Sequence, residues 1–287
     1  MKNCAILSMD NLQAFECYDC LLDKPLLDKG WKTHTVSWRD ETVDWEQFDA
    51  VIIRSPWDYQ DDADKFVEVL EKIDASSAHL ENPLELIKWN IDKTYLKELE
   101  NQGIEIVPTV WRETFLPGEL ISYFTQFDTE EIIIKPTISA NADNTFRIPL
   151  HTANTLIEEL KKVFKEKPFM VQPFMTSIVD EGEFSLFYFA GQYSHTILKK
   201  PKKNDFRVQE EHGGILTKIE PEPALLEQAD KVNRRLQPAP LYSRLDFVRT
   251  EVGFAVMEVE LIEPSLYFNM DEGSAERFAE AFAHWML

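Results

Sequence analysis

The sequence predicts an α/β (α+β) chain: a doubly wound parallel sheet over residues 1–88, then a mixed unit over residues 89–287 that becomes richer in strand toward its end. Three observations lead there. Strand and helix signals alternate through the first third, as in a parallel sheet with crossover helices. Asn82-Pro83 then interrupts the chain, because the residue before a proline is biased away from helix. The last third carries closely spaced strand signals with one helix between them and one at the close.

Taken in order, residues 4–9 form an apolar strand, 31–38 alternate with period two, and 49–55 read as a third, buried strand. Residues 61–73 fit a helix with Phe66, Val67, Leu70 and Ile73 on one face. A helix over 83–102 follows, stopped by Gly103. Strands are expected at 106–111, 131–136 and 169–174, with a helix at 154–165 between the last two. Further strands are expected at 183–190, 193–199, 242–250 and 254–262, with helices at 223–236 and 275–286. No internal repeat or low-complexity segment is present.

With 287 residues, 44% hydrophobic and 28% charged, the composition is that of a folded soluble chain. No run approaches the ~20 apolar residues of a membrane span, so no membrane partner is expected. The apolar stretch near the start is shorter than the ~7–15 residues of a secretory core, which reads as a first strand and a cytoplasmic setting. A net charge of −21 excludes a general nucleic-acid binder, which needs Lys and Arg to neutralise phosphates. One local reversal stands out: Lys199, Lys200, Lys202, Lys203 and Arg207 make either a solvated face or a site for a small anion. Cys4, Cys17 and Cys20 form no even disulfide framework, and a single C-x-x-C is a weak zinc signal, so reduced thiols are expected.

Candidate chemistry gathers at strand ends. Ligands of parallel sheets sit beyond the carboxyl ends of strands, where Arg54 emerges in RSPWDY; its planar fork suits a substrate carboxylate, although a structural turn fits equally. Lys135 follows three isoleucines and is placed to meet a phosphate as a point charge. Glu258 and Glu260 share one strand face, where two carboxylates repel unless a cation lies between them. Asp246 on a neighbouring strand would add a third oxygen, a set suited to Mg²⁺; the alternative is a solvent-facing acidic edge.

These pieces fall into an ordered series: Trp89-Asn90-x-Asp92-Lys93-x-x-Leu96, IIIKP with Lys135, MVQPF at 170–174, EGEFS at 181–185, Lys199 with DFRVQ at 205–209, LYSRLDFV at 241–248 and MEVELIEPS at 257–265. The series, over residues 89–268, resembles the ATP-grasp enzymes, and within them the RimK/glutathione-synthetase branch and its D-cycloserine synthetase-like group. The resemblance implies an ATP-grasp fold behind an N-terminal pre-ATP-grasp domain, with a smaller lobe at about 107–170 and a C-terminal lobe at about 171–287. It implies ATP and two Mg²⁺ ions, with Mn²⁺ as a substitute, and a ligase that activates a small carboxylate as an acyl-phosphate for an amine-type nucleophile. Lys93 and Lys135 would contact phosphates, and Gln172, Pro173 and Phe174 would form the adenine hinge. Glu181 or Glu183 would take the ribose, with Glu181 favoured by spacing, and Lys199 would line the nucleotide pocket. Arg207 would bind the transferring phosphoryl group beside Lys135. Asp246, Glu258 and Glu260 would hold the metal, and Arg54, Arg244 and Ser265 the substrate.

One departure from the resemblance is the loop 137–145, which lacks the usual glycines; Ser139, Thr145 and backbone amides would cover the phosphates instead. A small-molecule kinase and a non-catalytic nucleotide-binding module are the rival readings. The protein is expected to act as a monomer or homodimer.

Overall fold

The computed structural model describes all residues except Asn141 and Asn204, the former within the glycine-free loop. Among the described residues three sheets carry the fold. The first contains β1 (Lys2–Ser8), β2 (Trp31–Ser37), β3 (Ala50–Ser55) and β4 (His79–Glu81), all parallel in the order β2-β1-β3-β4. Both faces of this sheet are covered. Cys4, Ile6 and Ile52 pack toward Leu26 of α1 (Asp23–Asp28), while Leu7, Val51 and Ile53 pack toward Phe66 and Leu70 of α2 (Ala63–Asp74). Burial on both sides explains the unbroken apolar run of β3.

The helix expected over 83–102 is two helices, α3 (Leu84–Asn90) and α4 (Tyr95–Asn101). The cause is Asp92. Its carboxylate accepts from the Thr94 amide at 2.8 Å and from the Thr137 hydroxyl at 2.9 Å, while the Lys93 amide donates to the Thr137 carbonyl at 2.8 Å. The chain is thus tied to the 137 loop where a continuous helix would have carried it past. Gly103 follows α4 with φ of +78°, the left-handed stop expected of it.

The second sheet is antiparallel, in the order β5-β8-β6-β7: β5 (Val110–Arg112), β6 (Glu131–Pro136), β7 (Phe146–Pro149) and β8 (Phe169–Pro173). α5 (Leu120–Phe127) and α6 (Ile157–Val163) cover one side through Leu120, Phe124 and Leu160. The expected strand at 106–111 is shortened, with Ile106 bridging Val256 instead, and the expected helix at 154–165 begins as a 3-10 stretch. β8 crosses the expected lobe boundary at 170/171 and pairs with β5 and β6.

After the short α7 (Ser177–Asp180), a third sheet runs in the order β11-β10-β9-β12-β13. It comprises β9 (Glu183–Phe189), β10 (Gln192–Lys200), β11 (Ile215–Ile219), β12 (Tyr242–Thr250) and β13 (Gly253–Glu260), flanked by α8 (Pro223–Asn233) and α9 (Ser274–Trp285). Phe187, Phe189 and Tyr242 of this sheet share a core with the first sheet and with Phe278 of α9. Among the described residues, no helix is long and apolar enough to cross a membrane.

Candidate active site

A single cavity is walled by the second sheet, the third sheet and the ends of the first. Antiparallel register builds its floor. Arg244 lies opposite Glu260 and Asp246 opposite Glu258 across β12 and β13, while Glu183 lies opposite Lys199 across β9 and β10. Side-chain alternation then turns these charges to one face. Lys135 and Ile133 of β6, with Gln172, Pro173 and Phe174, form the facing wall, and Lys93 enters from the break between α3 and α4.

Most charges on the wall answer one another. Lys199 Nζ is 2.5 Å from Glu183, and Lys93 Nζ is 3.0 Å from Glu258 and donates to the Ser139 carbonyl at 2.6 Å. Arg244 pairs with Asp246 at 3.0 Å and with Glu260. Arg207 lines the cavity with its guanidinium held by Asp205 at 2.9 Å. Among the described residues, the Lys135 ammonium has no hydrogen bond or ion pair, and the Glu263 carboxylate has no ion pair and accepts only from its own backbone amide; the exposed Glu211 is unpaired as well.

The electrostatics follow from enclosure. Burial lowers the Lys135 pKa, with Glu258 working against it. Burial also opposes ionisation of Glu258, yet Lys93 and Lys135 hold that carboxyl below its ordinary range. Glu260 is pushed up to about 8 by burial, with Arg244 opposing, and Glu263 to about 7, with Lys93 opposing. Burial raises Glu183 too, although Lys199 opposes it.

Of the residues singled out from the sequence, Lys93, Lys135, Ser139, Thr145, Gln172, Pro173, Phe174, Glu183, Lys199, Arg207, Arg244, Glu258, Glu260 and Ser265 line this cavity. Arg54, Glu181 and Asp246 do not line it. Arg54 is 1% exposed and donates from Nε to Asp19 at 3.1 Å and from Nη2 to the Pro264 carbonyl at 2.7 Å, so it braces the 264 segment, while its buried Nη1 has no partner among the described residues. Glu181, favoured by spacing, is captured by Arg249 at 2.6 Å, whereas Glu183 reaches the cavity. Gly182 separates them with φ of +121°, and a Cβ there would lie 2.8 Å from the Lys199 carbonyl. Only glycine fits that turn.

Asp246 is 2% exposed, under Arg244 and Ser185. Among the described residues, no group of three His, Cys, Asp or Glu side chains that could hold a metal is present, contrary to the expected Asp246, Glu258 and Glu260 set; Lys93 pairs with Glu258, and Arg244 with Asp246 and Glu260. The donor set itself, hard carboxylate oxygens with Glu258 and Glu260 on the wall, fits Mg²⁺. In the glycine-free loop, Ala142 and Asn144 take left-handed φ values of 58° and 51°, bending as glycines would. Trp57, Tyr59, Glu263 and Tyr267 also line the cavity and were not picked out as site residues.

Known proteins agree with this architecture. Residues 4–82 match the family described as D-cycloserine synthetase DcsG, N-terminal domain. The chain is 29% identical over 281 residues to the cycloserine biosynthesis protein DcsG of Streptomyces lavendulae, covering 90% of this chain and 92% of that one. A crystal structure of D-cycloserine synthetase DcsG superposes with a TM-score of 0.87 at 25% identity, over 99% of this chain and 100% of the other. The D-alanine–D-alanine ligase of Bacillus anthracis shares the fold, with a TM-score of 0.69 at 13% identity over 100% of this chain and 97% of that one. The chain is an ATP-grasp enzyme, an ATP-dependent carboxylate–amine ligase. Within that class it is D-cycloserine synthetase-like.

Proposed function

We propose that the cavity binds Mg-ATP and a small carboxylate, an amino acid or a derivative of one, and converts the carboxylate to an acyl-phosphate that an amine-type nucleophile then attacks. The observation that carries this reading is Lys135, an ammonium on the cavity wall with no partner among the described residues. A lone cation in an enclosed site is a pre-organised counter-charge for a phosphoryl group.

In this reading the adenine lies against residues 171–174, with Gln172 at its edge and Glu183 and Lys199 toward the ribose. Lys93, Lys135 and the 137–145 loop meet the phosphates. Arg207 exchanges Asp205 for the transferring group. Glu258 and Glu260, with Asp246 behind them, hold up to two Mg²⁺ ions, which would neutralise charge between the phosphates. Arg244 and Ser265 face the acceptor, and the segment ending near residue 88 closes the site from beneath. Exclusion of water protects the acyl-phosphate from hydrolysis. The likeness to D-cycloserine synthetase favours a cyclising ligation within one molecule. We place the chemistry in the cytoplasm, where the free thiols Cys4, Cys17 and Cys20 stay reduced.

The test is release of ADP and phosphate with Mg-ATP and a panel of D- and L-amino acids and aminooxy or ureido serine derivatives. The expected result is stoichiometric ADP and phosphate with a new amide. A stable phosphate ester would make the protein a kinase, and no turnover with any carboxylate would overturn the reading.

A further inference from the structure

The second charge without an ion pair is on a different wall of the cavity. The Glu263 backbone carbonyl accepts from the Trp57 indole at 2.8 Å, and the next carbonyl, that of Pro264, accepts from Arg54 at 2.7 Å. The first sheet therefore fixes this segment in place, and Trp57 and Tyr59, both buried, wall the cavity beside it. Every other enclosed carboxylate on the wall has a cation of its own: Glu183 has Lys199, Glu258 has Lys93 and Glu260 has Arg244. Glu211 also lines the cavity but is exposed, so water covers its charge. Glu263 is left half-buried, with no ion pair among the described residues and only its own backbone amide as donor, and a carboxylate on a cavity wall without a cation is costly unless a ligand supplies one.

We propose that Glu263 is the specificity-determining residue of the acceptor end, and that the carboxylate substrate carries a protonated amine which pairs with it between Trp57 and Tyr59. Aromatic walls favour an organic cation at this position, since indole and phenol faces attract ammonium groups. The acids suited to a metal lie on β12 and β13; Glu263 lies past the end of β13, on the segment held by the first sheet. The proposal rests on the ligase reading for the identity of the site, and its test is independent of turnover.

Binding is measured in Mg²⁺ and a non-hydrolysable ATP analogue with matched pairs in which a hydroxyl replaces the ammonium: D- and L-serine against D- and L-glycerate, D- and L-alanine against D- and L-lactate. The wild type is expected to bind the amino member of at least one pair about tenfold or more tightly, the range of a desolvated charge pair. Glu263→Gln is expected to bring that preference within about twofold while leaving affinity for the ATP analogue unchanged. Glu263→Asp, which withdraws the charge by one methylene, is expected to weaken the amino member alone, and it serves if Glu263→Gln does not fold. Equal binding of both members by the wild type, no binding of any amino member, or a preference that survives in Glu263→Gln overturns the proposal. So does loss of ATP-analogue binding in the variant, which would make Glu263 a metal or nucleotide group. A wild type that prefers the ammonium but releases no ADP keeps this assignment and loses the ligase reading; ADP release with indifferent binding does the reverse.

Discussion

Two parts of the cavity wall come from different parts of the chain, and among the described residues each leaves a charge of opposite sign without an ion pair. At the hinge end, strands β6, β8, β9 and β10 supply the wall, and the spare charge is the Lys135 cation. At the other end, residues from the first sheet and the segment after β13 supply it, and the spare charge is the Glu263 carboxylate. A chain of net charge −21 repels an anion such as ATP at long range. Binding of ATP would therefore depend on short-range groups such as Lys135, whereas Glu263 would suit a cation.

The sharpest way to break this contrast is Lys135→Ala. If the cation meets the transferring phosphate, ADP release should fall about 10²–10³-fold, the loss seen when one pre-organised electrostatic donor is removed. The measurement is kcat/KM for ATP at saturating carboxylate, with the melting temperature as a control for folding. A change of less than about threefold would remove Lys135 from the phosphate site.

A smaller effect separates Glu183 from Glu181. Glu183→Gln should raise the KM for ATP about tenfold, as expected for a lost hydrogen bond to a charged group. Glu181→Gln should leave it within about twofold, because a carboxylate shared with Arg249 on the surface is worth little. Equal effects would mean that the ribose lies elsewhere.

Legibility from the sequence followed the range of the forces involved. β1 and β3 were readable because a buried strand writes itself as a continuous apolar run, and period two alone put Glu258 and Glu260 on one face. Lys93 was readable as part of a motif, yet its aim into the cavity depends on Asp92 breaking a helix that apolar spacing extends through. The choice between a carboxylate site and a structural turn stayed open for Arg54 because its partners, Asp19 and Pro264, lie 35 and 210 residues away, beyond any local pattern. Spacing could not choose between Glu181 and Glu183, since the choice is made by the backbone turn at Gly182. Glu263 escaped notice because β13 ends at Glu260, and alternation predicts nothing past a strand's end.

The acceptor end also carries the smallest expected effect, one visible in stability. His195 is 2% exposed, stacked on Phe187 at 4.2 Å, with Nε2 3.2 Å from the Leu266 carbonyl between Ser265 and Tyr267. Burial lowers its pKa from an ordinary 6.5 to about 4, with Asp271 opposing and Arg277 and Lys218 adding to the decrease. The unfolded chain thus binds this proton at a higher pH than the folded one. The His195 contribution is full above pH 6.5 and is lost progressively as pH falls toward 4. Urea unfolding of the wild type and of His195→Gln between those values should show a shallower decline in the variant. Because the ring props the segment carrying Ser265 and Tyr267, binding at the acceptor end should weaken in parallel, while affinity for the ATP analogue at the hinge end changes less. Identical pH profiles for the two proteins would show that the ring takes up its proton at the same pH in the folded as in the unfolded chain, and would remove His195 from the pH dependence.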